Sequence, residues 1–139
     1  MPLDLSALRA AITALDEAVT FAHSPLMTQF TAAQCQTVRV GVIQCFACAY
    51  EQAWKMMKRW LEHNLGSVYV DGVTRRTLFR LAAEHQLIDD VTAWFDYHAA
   101  RNQTTHTYAL QTATAVFQVM PAFLEDARGL LHQLQQKNN

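Results

Sequence analysis

From about Ala32 to His63 the chain carries one apolar pattern of helical period, with Val38, Val42, Cys45, Phe46, Ala49, Trp54, Met57, Trp60 and Leu61 on it and no proline anywhere inside. A helix of that length spans about 48 Å at 1.5 Å per residue. Its apolar stripe can be covered only by other elements of comparable length. No stretch alternates at period two for long enough to build a sheet, although "SVYV" reads as a short extended segment within a loop. The expected fold class is therefore all-α, a bundle of about five helices around one long central helix.

The partner helices can be read in turn. Leu5, Leu8, Ile12, Leu15 and Val19 recur at threes and fours and mark a first helix, which "AHSPLMTQ" ends. The two glycines of "HNLGSVYVDGV" stop the long helix, and Thr74 supplies an N-cap for a short third one, "TRRTLFRLAAEHQLI". Asp89 or Asp90 caps a fourth, "VTAWFDYHAARN", and Thr104 or Thr105 a fifth running toward Val119. Pro121 is expected to kink or restart the final stretch, "AFLEDARGLLHQLQQ", because it lacks a backbone N–H and crowds the preceding turn.

With 139 residues, and neither an internal repeat nor a low-complexity linker, residues 1–139 are expected to form a single domain. Apolar residues make up 51% and charged residues 17%, which excludes disorder and leaves a rather apolar surface suited to self-association. The formal net charge of -1 means that no global field draws the chain to nucleic acid or to an anionic membrane. Any RNA contact must come from a local basic patch. The acidic amphipathic start is unlike a signal peptide and no apolar run approaches spanning length, so a cytoplasmic protein without membrane contact is expected. Cys35, Cys45 and Cys48 lie within one helical pattern, and "CFAC" has no second ligand pair, so the thiols are expected to be reduced and to pack in the core.

The sequence carries no phosphate-cradling glycine motif, no nucleophile elbow and no zinc-protease helix. No metal and no cofactor are expected. A nucleotidyltransferase needs a strand-borne carboxylate cluster beside a Gly-Ser turn, and "GSVYVDG" offers one aspartate with no strand after it. His23, His63, His85, His98 and His132 lack a companion at ligand spacing and are read as surface or satisfied core histidines.

His106 differs, because "RNQTTHTY" sets it beside Arg101, Asn102 and Tyr108. On an unbroken helix Arg101 and His106 would lie about 140° apart. "NQTT" is poor helix interior, so a turn there followed by a restart at Thr104 or Thr105 would let the two converge, with free N–H groups of the new helix beneath His106. Such a set can cleave RNA without metal: the imidazole moves a proton at the 2′-hydroxyl or the leaving oxygen, and the guanidinium stabilises charge on phosphorus. On the residues alone, a capping and packing role for the same side chains stands equally open.

"RNQTTHTY" resembles the R-x-x-x-x-H-x-Y signature of the HEPN superfamily, in particular its HepT-like, nucleotidyltransferase substrate-binding members. "GVIQCFACAYEQAWKMMKRWLE" and the helix ending "WFDYHAARN" are similar to two further blocks of that family, in the same order. The chain departs from the pattern at Ala109-Leu110 and Ala47-Cys48. The resemblance implies an up-and-down bundle forming a two-fold homodimer, with the motifs of both chains lining one cleft. It further implies a toxin: a metal-independent endoribonuclease with Arg101 and His106 catalytic and Asn102 supporting. Its antitoxin would be a minimal nucleotidyltransferase able to place AMP on Tyr108. The alternative is a non-catalytic substrate-binding subunit of that nucleotidyltransferase.

Overall fold

The computed structural model describes residues 2–106 and 109–138, with His106 described by its backbone alone. Five α-helices follow one another, with no strand among the described residues: α1 (Ser6–Ala22), α2 (Ala32–Leu65), α3 (Arg75–Glu84), α4 (Val91–Asn102) and α5 (Leu110–Gln136). The all-α bundle read from the sequence is the architecture observed, and α2 is the central helix, touching each of the other four.

Local chemistry explains where the helices begin and end. Thr31 opens α2 with a reciprocal capping box, its hydroxyl accepting from Gln34 N at 3.1 Å while Gln34 Oε1 accepts from Thr31 N at 2.8 Å. Gly66, at φ 98°, closes the same helix in a conformation that a β-carbon would strain. The expected cap Thr74 is in place, accepting from Thr77 N, and of the two candidates Asp89 and Asp90 it is Asp90 that caps α4, accepting from Ala93 N.

Three expectations are corrected. "SVYV" is not extended, because Ser67–Tyr69 wind as a 3-10 turn that leads Val70 into the core. Neither Thr104 nor Thr105 caps the last helix. A 3-10 turn spans Gln103–His106, and α5 starts at Leu110 behind Ala109, which gives no side-chain cap. Pro121 does not restart the chain either, since α5 continues through it to Gln136 and its neighbours Met120, Phe123 and Leu124 stay buried on one face. Packing of a long apolar face outweighs the loss of one backbone hydrogen bond.

The centre of the core is aromatic. Phe123 of α5 meets the rings of Phe46, Tyr97 and Trp94 edge-on at 5.0, 5.1 and 5.9 Å, and Phe79 of α3 packs on Trp94 at 5.7 Å. Four of the five helices therefore meet at the buried side of α4. At the far end Asn138 clasps Leu3, accepting from its N–H at 2.7 Å and donating to its carbonyl at 2.9 Å. Of the cysteines, Cys35 and Cys45 are half-buried while Cys48 is exposed, so the expected core role fails for Cys48.

Candidate functional site at the end of helix α4

Helix α4 turns Trp94, Tyr97 and Ala100 into the core, and the stripe beside them carries His98, Arg101 and Asn102 at spacings of three and four. Arg101 occupies the last turn, where a cation meets the negative end of the helix dipole. Its Nε donates to Glu51 Oε1 of α2 at 3.2 Å, and its Nη1 donates to Thr104 Oγ1 at 3.0 Å. The buried Thr104 hydroxyl in turn donates to the Arg101 carbonyl at 2.6 Å. Thr112 Oγ1, in the first turns of α5, donates to the Gln103 carbonyl at 2.9 Å. The turn that carries His106 is thus fastened to the helix before it and to the helix after it. The guanidinium is held in one orientation, and its Nη2 edge has no partner among the described residues.

Glu51 is itself positioned, because its second oxygen accepts from Trp54 Nε1 at 3.0 Å. The other support of that indole is Arg75, the first residue of α3, whose guanidinium carbon sits 3.4 Å from the ring centroid. A chain of contacts therefore runs Arg75–Trp54–Glu51–Arg101 across three helices.

His98 lies between the two arginines. The hydroxyl of the buried Tyr50 is 2.6 Å from its Nδ1, and the Asn102 amide nitrogen is 3.4 Å from its Nε2. The imidazole bridges the phenol and the amide, one ring nitrogen donating and the other accepting. Burial first, and then the charge of Arg75, hold His98 below its ordinary pKa of 6.5 against the opposing pull of Glu51. Arg101 and Arg76 push the same way. Burial also pushes Tyr50 far above its usual range, so its phenol stays protonated. The imidazole is therefore a neutral hydrogen-bonding bridge at pH 7.

A family model described as "Nucleotidyltransferase substrate binding protein like" matches residues 3–136. The chain belongs to that family. Among curated proteins it is 33% identical to the probable ribonuclease HepT of Haemophilus influenzae, over 98% of this chain and 94% of that one. Among solved structures it superposes with a TM-score of 0.89 and 30% identity on a Haemophilus influenzae protein, covering 95% of this chain and 99% of the other. That structure is described as revealing the fold of a substrate binding domain of a nucleotidyltransferase. A Thermus thermophilus protein matches at a TM-score of 0.70 and 25% identity, over 91% of this chain and 98% of that one.

Of the family signature, the structure brings Arg101 and Asn102 onto one stripe. The side chain of His106, and Tyr108 altogether, lie outside the described residues. With α5 beginning at Leu110, its free first-turn N–H groups belong to residues beyond Tyr108, not to His106 and its neighbours, which removes the expected anion site there. His98, set aside from the sequence as a histidine without a companion, has Tyr50, Asn102 and Arg101 for companions. The spacing His98, Arg101, Asn102 on one helix was a readable signal. Tyr50, Glu51 and Arg75 left none, because they come from α2 and α3 and meet α4 only through packing. No three His, Cys, Asp or Glu side chains among the described residues converge where a metal could be held.

Proposed function

We propose that this chain is the ribonuclease half of a HEPN/nucleotidyltransferase toxin–antitoxin pair: a metal-independent endoribonuclease that works as a two-fold homodimer and is restrained by its nucleotidyltransferase partner. What carries the reading is the oriented Arg101 guanidinium, gripped through Nε and Nη1 with its remaining edge turned to no partner among the described residues. Planar donors presented in that way suit the extra negative charge of a pentacoordinate phosphorus. In this mechanism the His106 imidazole of one chain takes the proton of the ribose 2′-hydroxyl. The same residue of the partner chain, in its protonated form, gives one to the leaving oxygen, and Asn102 orients the phosphate. The likeness to a protein named as a probable ribonuclease supports the activity, and the family description supports the nucleotidyltransferase partner. In this reading Tyr108, two residues after His106 in sequence, is where that partner attaches AMP, a bulky anion that competes with an RNA phosphate for Arg101.

The test is cleavage of single-stranded RNA by the purified chain in EDTA. Activity is expected to persist, and Arg101→Lys and His106→Ala are each expected to lower it by about 10²–10³-fold with helical circular dichroism and dimer mass unchanged. Abolition by EDTA with rescue by a divalent ion would refute the mechanism. Tyr108→Phe is expected to leave cleavage intact and to abolish neutralisation of growth arrest by the co-expressed partner.

A second reading, a non-catalytic substrate-binding subunit of the nucleotidyltransferase, is favoured by the Glu51–Arg101 pair, because the carboxylate offsets the charge that a phosphorane would need. Absence of cleavage by the wild-type chain, together with stimulation of the partner's nucleotidyl transfer, would select it.

A further inference from the structure

A chain of net charge -1 reaches RNA only through a local concentration of cations, and one exists on α3. The Arg75 guanidinium carbon lies over Trp54, 3.4 Å from the ring centroid. Arg76 and Arg80, one turn apart and both exposed, lie over Phe95 of α4 at 4.4 and 5.8 Å. None of the three has a carboxylate within salt-bridge distance among the described residues, whereas Arg101 has Glu51 and Arg128 has Asp16. Arg75 Nε is buried with no hydrogen-bond partner. Its guanidinium is held by the indole face and the phenol oxygen of Tyr50, with no carboxylate at ion-pair distance among the described residues.

Arginines held over rings lose little freedom when they bind, and the exposed Arg76 and Arg80 keep their N–H groups open to a ligand. The patch is also continuous with the site. Arg75 leads to the site through the Trp54 and Glu51 contacts, so the surface from α3 to the end of α4 carries four arginines, of which Arg101 alone is paired with a carboxylate among the described residues, a surplus of positive charge. Such a surplus without internal acids matches a row of phosphates.

We propose that Arg75, Arg76 and Arg80 form a strand-guiding surface, which binds the phosphates of single-stranded RNA flanking the one held by Arg101. The inference rests on the ribonuclease reading and assigns the substrate's path: along α3, over the Trp54 and Phe95 rings, into the turn at His106. The contacts are to phosphate, so they set affinity and register without choosing a base sequence.

The experiment measures fluorescence anisotropy of a labelled 12-nucleotide single-stranded RNA against salt. His106→Ala, which stops cleavage, is the parent, and Arg76→Gln/Arg80→Gln and then Arg75→Gln are added. The parent should bind, and the double variant should bind on the order of tenfold more weakly on RNAs of any sequence, with the log–log salt slope shallower by about 0.7 per contact removed. Arg75→Gln should add to this. Should it perturb the Trp54 packing, the exposed Arg76/Arg80 pair still decides the matter. In the otherwise wild-type chain Arg76→Gln/Arg80→Gln should raise KM and leave kcat within about twofold. Millimolar ATP or inorganic phosphate should not displace the RNA, and displacement by either would make the patch a free-nucleotide site instead.

Superimposable RNA curves for parent and variants overturn this inference alone. So does loss of binding to the purified nucleotidyltransferase with RNA binding intact, which would make α3 a protein-docking face. A drop to monomer mass in light scattering overturns it too, by making α3 the dimer contact. A parent that binds no RNA, from a wild type that cuts none, removes the ribonuclease reading itself.

Discussion

The two stripes of α4 obey different rules. Trp94, Tyr97 and Ala100 are almost fully buried and packed edge to face, whereas His98, Arg101 and Asn102, one position along, are half-buried or exposed and hold polar groups aimed at one another. The buried stripe converts apolar area into stability. On the other, a neutral imidazole is surrounded by cations and an arginine has one edge without a partner among the described residues, an arrangement that contributes little to folding and much to binding an anion. The boundary runs through neighbouring residues, as Tyr97 shows. Its ring packs against Phe123, while its hydroxyl donates to Asp126 of α5, and burial together with that bond pushes the phenol far above its ordinary pKa. A helix with both duties keeps its site rigid because the core stripe fixes its rotation.

That division can be broken most forcefully from the core side. Trp94→Ala is expected to cost about 3–5 kcal/mol in urea unfolding, the usual range for removing a large buried aromatic. Any RNA cleavage left in the fraction still folded should keep its KM. A cost below about 1 kcal/mol would mean that α4 is not held by this stripe. Glu51→Gln probes the link between the regions. Loss of a half-exposed ion pair should cost no more than about 1 kcal/mol. Cleavage should fall by about tenfold if the carboxylate serves to aim Arg101, and should rise if it serves to mask it.

The smallest effect is the one on pH. His98 has a folded pKa below its ordinary 6.5, so between those two values the unfolded chain binds the proton and the folded chain does not. Stability is therefore expected to fall as pH drops below about 6.5 and to level off once the folded imidazole protonates. Thermal melts of His98→Gln against wild type over pH 5–8 should show a flatter profile for the variant in that window. Identical profiles would return His98 to a passive role.

Helical period and cap residues determined that this chain is all-α, that its longest helix runs from about Ala32 to His63, and that Thr74 and one of Asp89 and Asp90 open two of the others, because caps and apolar stripes are local properties; the structure extends the long helix to Leu65 and selects Asp90. The family signature at Arg101, Asn102, His106 and Tyr108 was legible for the same reason, being a short contiguous string. Tertiary structure alone decided what no local rule encodes. The turn after α4 does not nucleate a helix at Thr104, since the hydroxyl that could have capped it is taken by the Arg101 carbonyl while its oxygen accepts from the guanidinium. Glu51, some fifty residues away, orients that guanidinium only because α2 packs against α4. Three arginines of α3, unremarkable as part of an amphipathic stretch, become a cationic surface only where the rings of Trp54 and Phe95 pass beneath them. Charge and hydrogen bonds act over a few ångströms of space, whereas sequence patterns report only a few residues of chain, and at this site the two distances differ.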